Sequence, residues 1–237
     1  MDRLGGSERE LIAMPRAADT LMISVPGIGE VSGILNCPSD SRWLYVLGHG
    51  AGAGMRHAFL ERVSADLGAR GIATLRYQFP YMERGKRPPD RPPTARATVR
   101  AAVETVRGLG IDLPIVAGGK SFGGRMTSQA QAEKPLAGVR GLVFLGFPLH
   151  APNRLSDERA AHLSSVDVPM LFMQGTRDSL ADLELMRSIC TGLGPRVTLH
   201  IVDGGDHSFQ VLKRSGRTED EVMVELCDTI DTWCTQL

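Results

Sequence analysis

The stretch that decides the fold is Val116–Gly124, VAGGKSFGG. An apolar segment, LPI, comes directly before it, and GRMTSQAQAEK, whose composition favours a helix, runs on from its last glycine. Taken from its lysine, GGKS matches the end of a phosphate-binding loop. Taken from its serine, the stretch is a G-x-S-x-G turn made by Gly119, Ser121 and Gly123, which would present a serine nucleophile.

The phosphate-loop interpretation fails on spacing. Such a loop has the pattern G-x-x-x-x-G-K-[ST], so its first glycine would have to stand where this chain has Pro114. Residues 115–117 belong to the predicted strand, and their amides are therefore used in sheet hydrogen bonds. A phosphate site at this stretch is not expected.

The nucleophile interpretation fits the surroundings of Ser121. A buried strand before the motif and a helix after it form the setting in which a serine is exposed on a sharp turn. Glycines on either side leave room for the strained backbone that such a serine adopts. A serine hydroxyl is a weak nucleophile by itself, so it also needs a neutral imidazole as base and a carboxylate to hold that imidazole.

Asp178 and His207 are the predicted partners of the serine. Asp178 follows the strand VPMLFMQG, and His207 follows the strand VTLHIVDGG. Because the carboxyl ends of parallel strands lie at one edge of a sheet, we expect both side chains to meet Ser121 there. The order serine, acid, histidine is the one that this arrangement uses. Asp203 is the nearest competitor for the role of the acid.

The oxyanion of a tetrahedral intermediate needs backbone donors as well. We predict the amide of Phe122, directly after the serine, and the amide of Ala51, in the glycine-rich loop GHGAGAG. A dinucleotide-binding loop, the competing interpretation, requires a glycine where this loop continues into Met55.

Three features remain open at this point. Leu149 and His150, in FPLHAP, are predicted to form the wall of the substrate pocket, although a turn built on two prolines explains them equally well. The Arg/Pro-rich loop 84–93 has the charge to attract an anionic substrate, but a solvated loop face is the simpler explanation. Lys120, beside the serine, has no assigned role.

The whole chain of 237 residues suits one α/β domain. Apolar strands alternate with amphipathic helices, which predicts about eight strands in a mostly parallel sheet flanked by helices, the first two strands being antiparallel. The last helix is expected to begin at Thr218, with Glu221 in a capping box. The segment FPLHAPNRLSDERAAHLSSV has room for a short helix but for no separate cap domain. Residues 1–18 are expected to form a loose arm, and residues 19–237 a single domain.

Composition narrows the choice of partners. Lys+Arg and Asp+Glu are both 27, so a nucleic-acid or membrane partner is not expected. The N-terminal segment has no apolar signal-peptide core. The cysteines show no C-x-x-C pair and no metal-ligand spacing; they are Cys37, Cys190, Cys227 and Cys234. We therefore expect a cytoplasmic monomer or homodimer that acts on a small-molecule acyl substrate without a cofactor or metal.

With these residues in place, the chain resembles the α/β-hydrolase superfamily, and more narrowly its dienelactone-hydrolase-like branch. Within that branch it is similar to small bacterial hydrolases related to testis-expressed protein 30 and to a subunit of the NSL histone-acetyltransferase complex. The resemblance runs from about Gly48 to Phe209. The matching blocks are LGHGAGAGM, LRYQFPYMERGKRPP, GGKSFGGRM, GFPLHAP, HLSSVDVPMLFMQGTRD and GGDHSF.

The resemblance implies an α/β-hydrolase domain over residues 19–237, with Ser121, Asp178 and His207 as its catalytic triad. Dienelactone hydrolases proper use a cysteine nucleophile, where this chain has Ser121, which argues against a dienelactone substrate. The predicted activity is hydrolysis of a small carboxylic ester or thioester through an acyl-enzyme. Two alternatives remain: an interaction module with an idle triad, and amide hydrolysis or acyl transfer at the same site.

Overall fold

The computed structural model describes residues 19–237, and the predicted N-terminal arm, residues 1–18, lies outside the described part of the chain. The strands are β1 (Asp19–Val25), β2 (Gly29–Asn36), β3 (Trp43–Gly48), β4 (Ile72–Tyr77), β5 (Ile115–Lys120), β6 (Val139–Leu145), β7 (Met170–Gly175) and β8 (Val197–Val202). The α-helices are α1 (Ala58–Gly68), α2 (Pro80–Glu83), α3 (Pro92–Gly108), α4 (Phe122–Glu133), α5 (Leu183–Leu193) and α6 (Glu219–Cys234).

All eight strands form one sheet in the order β1-β2-β4-β3-β5-β6-β7-β8. β2 is antiparallel to both β1 and β4, and every other neighbouring pair is parallel. The prediction of an eight-stranded, mostly parallel sheet with an antiparallel first pair is therefore confirmed. From β3 the chain crosses to β4 on one side and then returns to β5 on the other. The crevice at the carboxyl ends of β3 and β5 is consequently the switch point at which such sheets place their ligands.

Helices cover both faces of the sheet. α1 and α6 pack on one face through an apolar cluster, and α3, α4 and α5 pack on the other through a second cluster. Strands β3, β4 and β7 are buried along their whole length, as expected for parallel strands between two helical layers. Because both faces of the sheet are covered, the ends of the strands are the part of the sheet that the helical layers leave uncovered.

The two smaller predictions about elements are also confirmed. α6 begins with a capping box, in which the Glu221 N–H donates to the Thr218 hydroxyl (3.2 Å) and the Thr218 N–H donates to the Glu221 carboxylate (2.7 Å). The segment between β6 and β7 holds one short 3₁₀ helix, Glu158–Ser165, which packs against α4. Within residues 19–237 there is no separate cap domain over the strand ends.

The glycines around Ser121 permit backbone-to-backbone packing that no other residue allows. Gly118 and Gly119 have φ of 153° and 149°, in the region that favours glycine. A Cβ on Gly118 would lie 1.9 Å from the Val143 carbonyl oxygen, and one on Gly119 would lie 2.2 Å from the Gly48 carbonyl oxygen. The end of β5 is therefore held against β3 and β6 at distances that exclude any side chain.

Replacing Gly118 with alanine is expected to lower the free energy of unfolding by more than about 3 kcal/mol, because its Cβ would overlap the backbone of β6. Gly192→Ala is the matched control. Gly192 lies in α5 with open space around it, so alanine should stabilise the protein by about 0.5–1 kcal/mol. Urea denaturation of both variants checks the pair; equal stabilities would contradict the packing described here.

Candidate active site

Ser121 stands between β5 and α4 in an unusual backbone conformation. Its φ is 50° and its ψ is −110°, and its N–H donates to the Leu145 carbonyl (3.1 Å). A positive φ is uncommon outside glycine and marks a strained position that the surrounding structure must hold in place. The turn ends the strand and starts the helix at once, which is the geometry expected of an exposed nucleophile.

The structure brings the three predicted triad residues together. Nε2 of His207 lies 2.9 Å from Oγ of Ser121, and its Nδ1 lies 2.7 Å from Oδ2 of Asp178. Each residue follows a different strand: Ser121 follows β5, Asp178 follows β7 and His207 follows β8. An imidazole whose Nδ1–H donates to the carboxylate has Nε2 free to accept the serine proton.

Asp178 is held by more partners than the sequence predicted. Its side chain is fully buried. Oδ1 accepts the Leu180 N–H (2.8 Å), and Oδ2 accepts the side-chain amide of Gln174 as well as the imidazole. The other end of the Gln174 amide accepts the Phe147 N–H (3.0 Å). A single polar residue in the apolar strand VPMLFMQG was the signal for Gln174, and sequence reasoning missed it.

Lys120 also has a defined place. Its ammonium group donates to the backbone carbonyl of His207 and lies 5.1 Å from the centroid of the Phe209 ring. A Cβ on Gly146 would lie 2.9 Å from Nζ, so the glycine there leaves room for the lysine. Burial lowers the pKa of Lys120 to about 8. The lysine therefore ties the residue before the nucleophile to the loop that carries the histidine.

Of the two predicted oxyanion donors, Phe122 is the first residue of α4 and Ala51 lies in the loop after β3. Gly50, next to Ala51, is close enough that a Cβ on it would lie 3.8 Å from Cβ of Ser121. The loop is held by the Gly52 N–H, which donates to the Tyr81 hydroxyl (2.9 Å). Within residues 19–237, neither the Ala51 nor the Phe122 N–H donates to a protein acceptor. The role of both amides as oxyanion donors stays a prediction.

His49 is hydrogen-bonded to the backbone of the loop after β3 and to that of Phe79. It is fully buried, its Nδ1 donates to the Gly50 carbonyl (2.7 Å), and its Nε2 accepts the Phe79 N–H (3.1 Å). Burial lowers the pKa of His49 to about 4, so the ring stays neutral in the folded protein. These contacts make His49 a brace for the loop after β3.

Leu149 and His150 lie on the loop after β6, which packs against the loop that carries Asp178. Leu149 has no exposed surface and His150 is 5% exposed. Nδ1 of His150 donates to the Ala151 carbonyl (2.9 Å), and Nε2 accepts the Asp182 N–H (3.0 Å). These contacts brace the loop that carries the acid. The pocket role of both residues stays a prediction, and neither ring nitrogen of His150 is free to bind a substrate.

Asp203, the competing acid, and the other residues of suitable chemistry among residues 19–237 do not join the hydrogen bonds around Ser121. Asp203 is exposed, and the carboxylate that reaches His207 is that of Asp178. His57 caps α1, and His200 pairs with Glu225 (2.7 Å). The four cysteines are free thiols. In the part of the chain that the structure describes, no group of three or more His, Cys, Asp or Glu side chains is arranged to hold a metal ion.

Comparison with known proteins agrees with this geometry. A family model for the alpha/beta hydrolase domain matches residues 41–235. The chain belongs to this family. Over residues 19–237 there is also no helix long and apolar enough to cross a membrane.

Solved structures share the fold at low sequence identity. The chain is similar to a dienelactone hydrolase from Anabaena variabilis, with 19% identity, a TM-score of 0.72, and coverage of 92% of this chain and 97% of the other. A serine hydrolase without a lid from Xanthomonas campestris has 18% identity and a TM-score of 0.73, with coverage of 93% of this chain and 96% of the other. A cold-adapted esterase from an Arctic intertidal metagenomic library has 20% identity and a TM-score of 0.66, with coverage of 98% of this chain and 99% of the other.

These comparisons confirm the resemblance to dienelactone-hydrolase-like α/β hydrolases and the fold that it implied. The narrower similarity to testis-expressed protein 30 and to the NSL-complex subunit stays a prediction. At such low identity the solved structures establish the fold, while the chemistry has to be argued from the residues of this chain.

The buried state of His49 predicts an acid-side loss of stability. The unfolded histidine takes up a proton near its ordinary pKa of 6.5, whereas the folded one stays neutral to about 4. The unfolded state therefore binds more protons between these values, and stability present above pH 6.5 is lost as the pH falls. The loss from His49 between pH 7 and pH 5 should be about 2 kcal/mol.

Denaturant unfolding at pH 7 and pH 5 measures this loss. His49→Gln should flatten the pH dependence, while His57→Gln, at an exposed position, should leave it as it is in the wild type. Identical slopes for all three proteins would rule out the buried, neutral state of His49.

Proposed function

We propose that the protein is a serine hydrolase that cleaves a small carboxylic ester or thioester. The observation that supports this proposal most directly is the row of hydrogen bonds from Ser121 through His207 to the buried Asp178. A structural serine has no need of a strained backbone, a base within 2.9 Å and a carboxylate behind that base. A nucleophile needs all three.

Ser121, His207 and Asp178 would each have a defined part in the reaction. Oγ of Ser121 attacks the acyl carbon while Nε2 of His207 accepts its proton. Asp178 holds the Nδ1–H tautomer and stabilises the imidazolium that forms. The imidazolium then protonates the leaving alcohol or thiol as the acyl group stays on the serine as an ester. In the second half His207 takes a proton from water as the hydroxide attacks the acyl carbon. The imidazolium then returns that proton to Oγ of Ser121 as the bond between the acyl carbon and Oγ breaks, and the carboxylic acid leaves.

The amides of Phe122 and Ala51 would hold the negative oxygen of both tetrahedral intermediates. One belongs to the first residue of α4 and the other to the loop after β3, and both lack a protein acceptor within the described residues. Donors that are fixed before the reaction contribute most at the moment when charge develops, because they need no reorganisation. His49 and Tyr81 would keep the Ala51 loop in this state.

The size of the substrate follows from what covers the site. Over residues 19–237 a short 3₁₀ helix replaces a cap domain, so small or exposed acyl groups are favoured. The solved proteins of this fold include a serine hydrolase without a lid and an esterase, which supports the same substrate class here. A serine in place of the cysteine nucleophile of dienelactone hydrolases favours ordinary esters over dienelactones.

Lys120 would act as a positioning residue for the base. Its ammonium group donates to the carbonyl of His207 and forms no hydrogen bond with the Ser121 hydroxyl or the His207 ring in the described structure. Because His207 lies on the loop after β8 rather than on a strand or helix, this bond helps to fix where Nε2 stands relative to Ser121. A small displacement of a reacting group lowers the rate strongly while leaving substrate binding almost unaffected.

Turnover of p-nitrophenyl acetate and butyrate tests the proposal. Ser121→Ala should lower kcat by at least about 1000-fold, and Asp178→Asn should lower it by a similar factor because the wrong tautomer of His207 is held. Ser164→Ala, at an exposed serine of the 3₁₀ helix, is the matched control and should retain wild-type rates. Equal rates for the wild type and Ser121→Ala would refute the serine mechanism.

A fluorophosphonate probe gives an independent check. The wild type should be labelled at Ser121, and the Ser121→Ala protein should not be labelled. Folded wild-type protein that is neither labelled nor active would instead favour an interaction module with an idle triad.

Replacing Lys120 with methionine is expected to lower kcat by about 10-fold with little change in KM, because the histidine loop loses its anchor. Lys120→Arg, which keeps a donor, should recover most of the rate, and Lys134→Met at the exposed end of α4 is the control. Circular dichroism establishes that each variant is folded. A Lys120→Met enzyme with wild-type kcat would show that the lysine does not position the base.

A further inference from the structure

Two arginines meet where the 3₁₀ helix Glu158–Ser165 packs on α4. The contact between the two helices is fixed by Oγ of Ser128 and Nε2 of His162, which lie 2.7 Å apart. Arg125 precedes Ser128 by one turn of α4, and Arg159 precedes His162 by one turn of the 3₁₀ helix. Further along both segments, the side-chain amide of Gln131 donates to Asp167 (2.9 Å), so the two helices run in the same direction. Arg125 and Arg159, each one turn before the Ser128–His162 contact, therefore lie toward the same end of it.

Arg125 lacks the partners that half-buried arginines normally have. Its Nε is buried and has no hydrogen-bond partner among residues 19–237. On the neighbouring helix, Arg96 and Arg100 both pair with Glu133, the last residue of α4. Arg125 makes no such pair within the described residues. The Nε–H donor of a permanently charged group is thus left unsatisfied at a position where water is partly excluded.

Arg159 adds a second positive charge rather than neutralising the first. One of its terminal nitrogens donates to the His150 carbonyl (3.1 Å), which anchors the side chain to the loop after β6. Burial lowers the pKa of Arg125, and the charge of Arg159 lowers it further. Asp157 and Glu158 stand beside Arg159 in the chain, yet neither forms an ion pair with either arginine in the described structure. An anion bound between the two would remove their repulsion.

Both arginines are attached to segments that adjoin the predicted triad. The Arg125 N–H donates to the carbonyl of Ser121 (3.0 Å), so Arg125 stands on the first turn of the helix that the serine begins. Residues four apart on a helix have Cβ atoms about 6 Å apart, which is less than the reach of an extended arginine side chain. The His150 carbonyl, which holds Arg159, lies on the loop that braces Asp178.

We propose that Arg125 and Arg159 form a subsite for a small oxyanion, a carboxylate or phosphate group carried by the substrate beside its scissile bond. The planar fork of each guanidinium matches two oxygens of such a group. The proposal rests on the proposed function, because it narrows the substrate to an ester or thioester that bears a second, acidic group. Neutral esters would then react without this contact.

Binding is measured first, without turnover, on the Ser121→Ala protein. Titration calorimetry with glutarate and, separately, with inorganic phosphate should show saturable binding that weakens as salt is added. Tighter binding of one anion identifies which group the subsite takes. Arg125→Met should weaken that binding by about 10-fold or more, and Arg159→Met is the second variant in case the first does not fold.

The control for binding is Arg187→Met, at an exposed arginine of α5 that lies 3.7 Å from Glu184. It should bind the anions as the Ser121→Ala parent does. Folded parent protein that binds neither anion, or an Arg125→Met protein that binds as tightly as the parent, would overturn the subsite.

Turnover tests the same residues in the active enzyme. The ratio of kcat/KM for mono-p-nitrophenyl glutarate to that for p-nitrophenyl butyrate should fall about 10-fold in Arg125→Met and less in Arg125→Lys. An unchanged ratio would overturn the proposal. Because calorimetry needs no reaction, an inactive protein that still binds glutarate would contradict the proposed hydrolase and support the subsite, and an active enzyme that binds no anion would do the reverse.

Discussion

The close approach of backbone to backbone at the end of β5 is the constraint on which the rest of the site depends. A Cβ on Gly119 or Gly123 would lie 2.2 Å or 2.4 Å from the carbonyl oxygen of Gly48. With glycine at these positions, β3, β5 and the start of α4 pack without side chains between them. Ser121 is thereby forced into a positive φ, and the loop after β3 is brought beside it. The predicted nucleophile and the predicted oxyanion donors therefore depend on the same close packing of glycines.

Around this constraint the structure gathers polar groups that are costly to bury, and it gives most of them partners. Asp178 is held by a backbone amide, by Gln174 and by His207. Lys120 is held by the carbonyl of His207 and the ring of Phe209. Buried groups satisfied in this way are rigid, and rigidity is what a base needs in order to stay within reach of a serine. Arg125, on the helix that Ser121 begins, has a buried Nε without a partner among residues 19–237, and this missing partner is the reason to assign it a ligand.

Local pattern accounted for a large part of this description. The strand, turn and helix around Ser121 could be predicted because glycine spacing and apolar runs reflect short-range sterics. Asp178 and His207 could be predicted because parallel strands end at one edge, so position along the chain translates into position in space. Gln174, Lys120 and Arg125 could not, since their roles depend on partners far away in sequence. The same holds for Leu149 and His150, whose burial depends on how the loops after β6 and β7 pack together.

By itself, then, the sequence determined the order of strands and helices, the nucleophile motif and the identity of its two partners, because each follows from periodicity or from the end of a strand. The tertiary structure alone decided which backbone amides are left without acceptors, which charges are paired and that the buried Nε of Arg125 has no partner among residues 19–237. Those properties are set by contacts between segments as distant as Lys120 and His207, or Arg125 and Arg159. No local pattern in the chain encodes them, because they exist only when the sheet has closed and the loops have met at its edge.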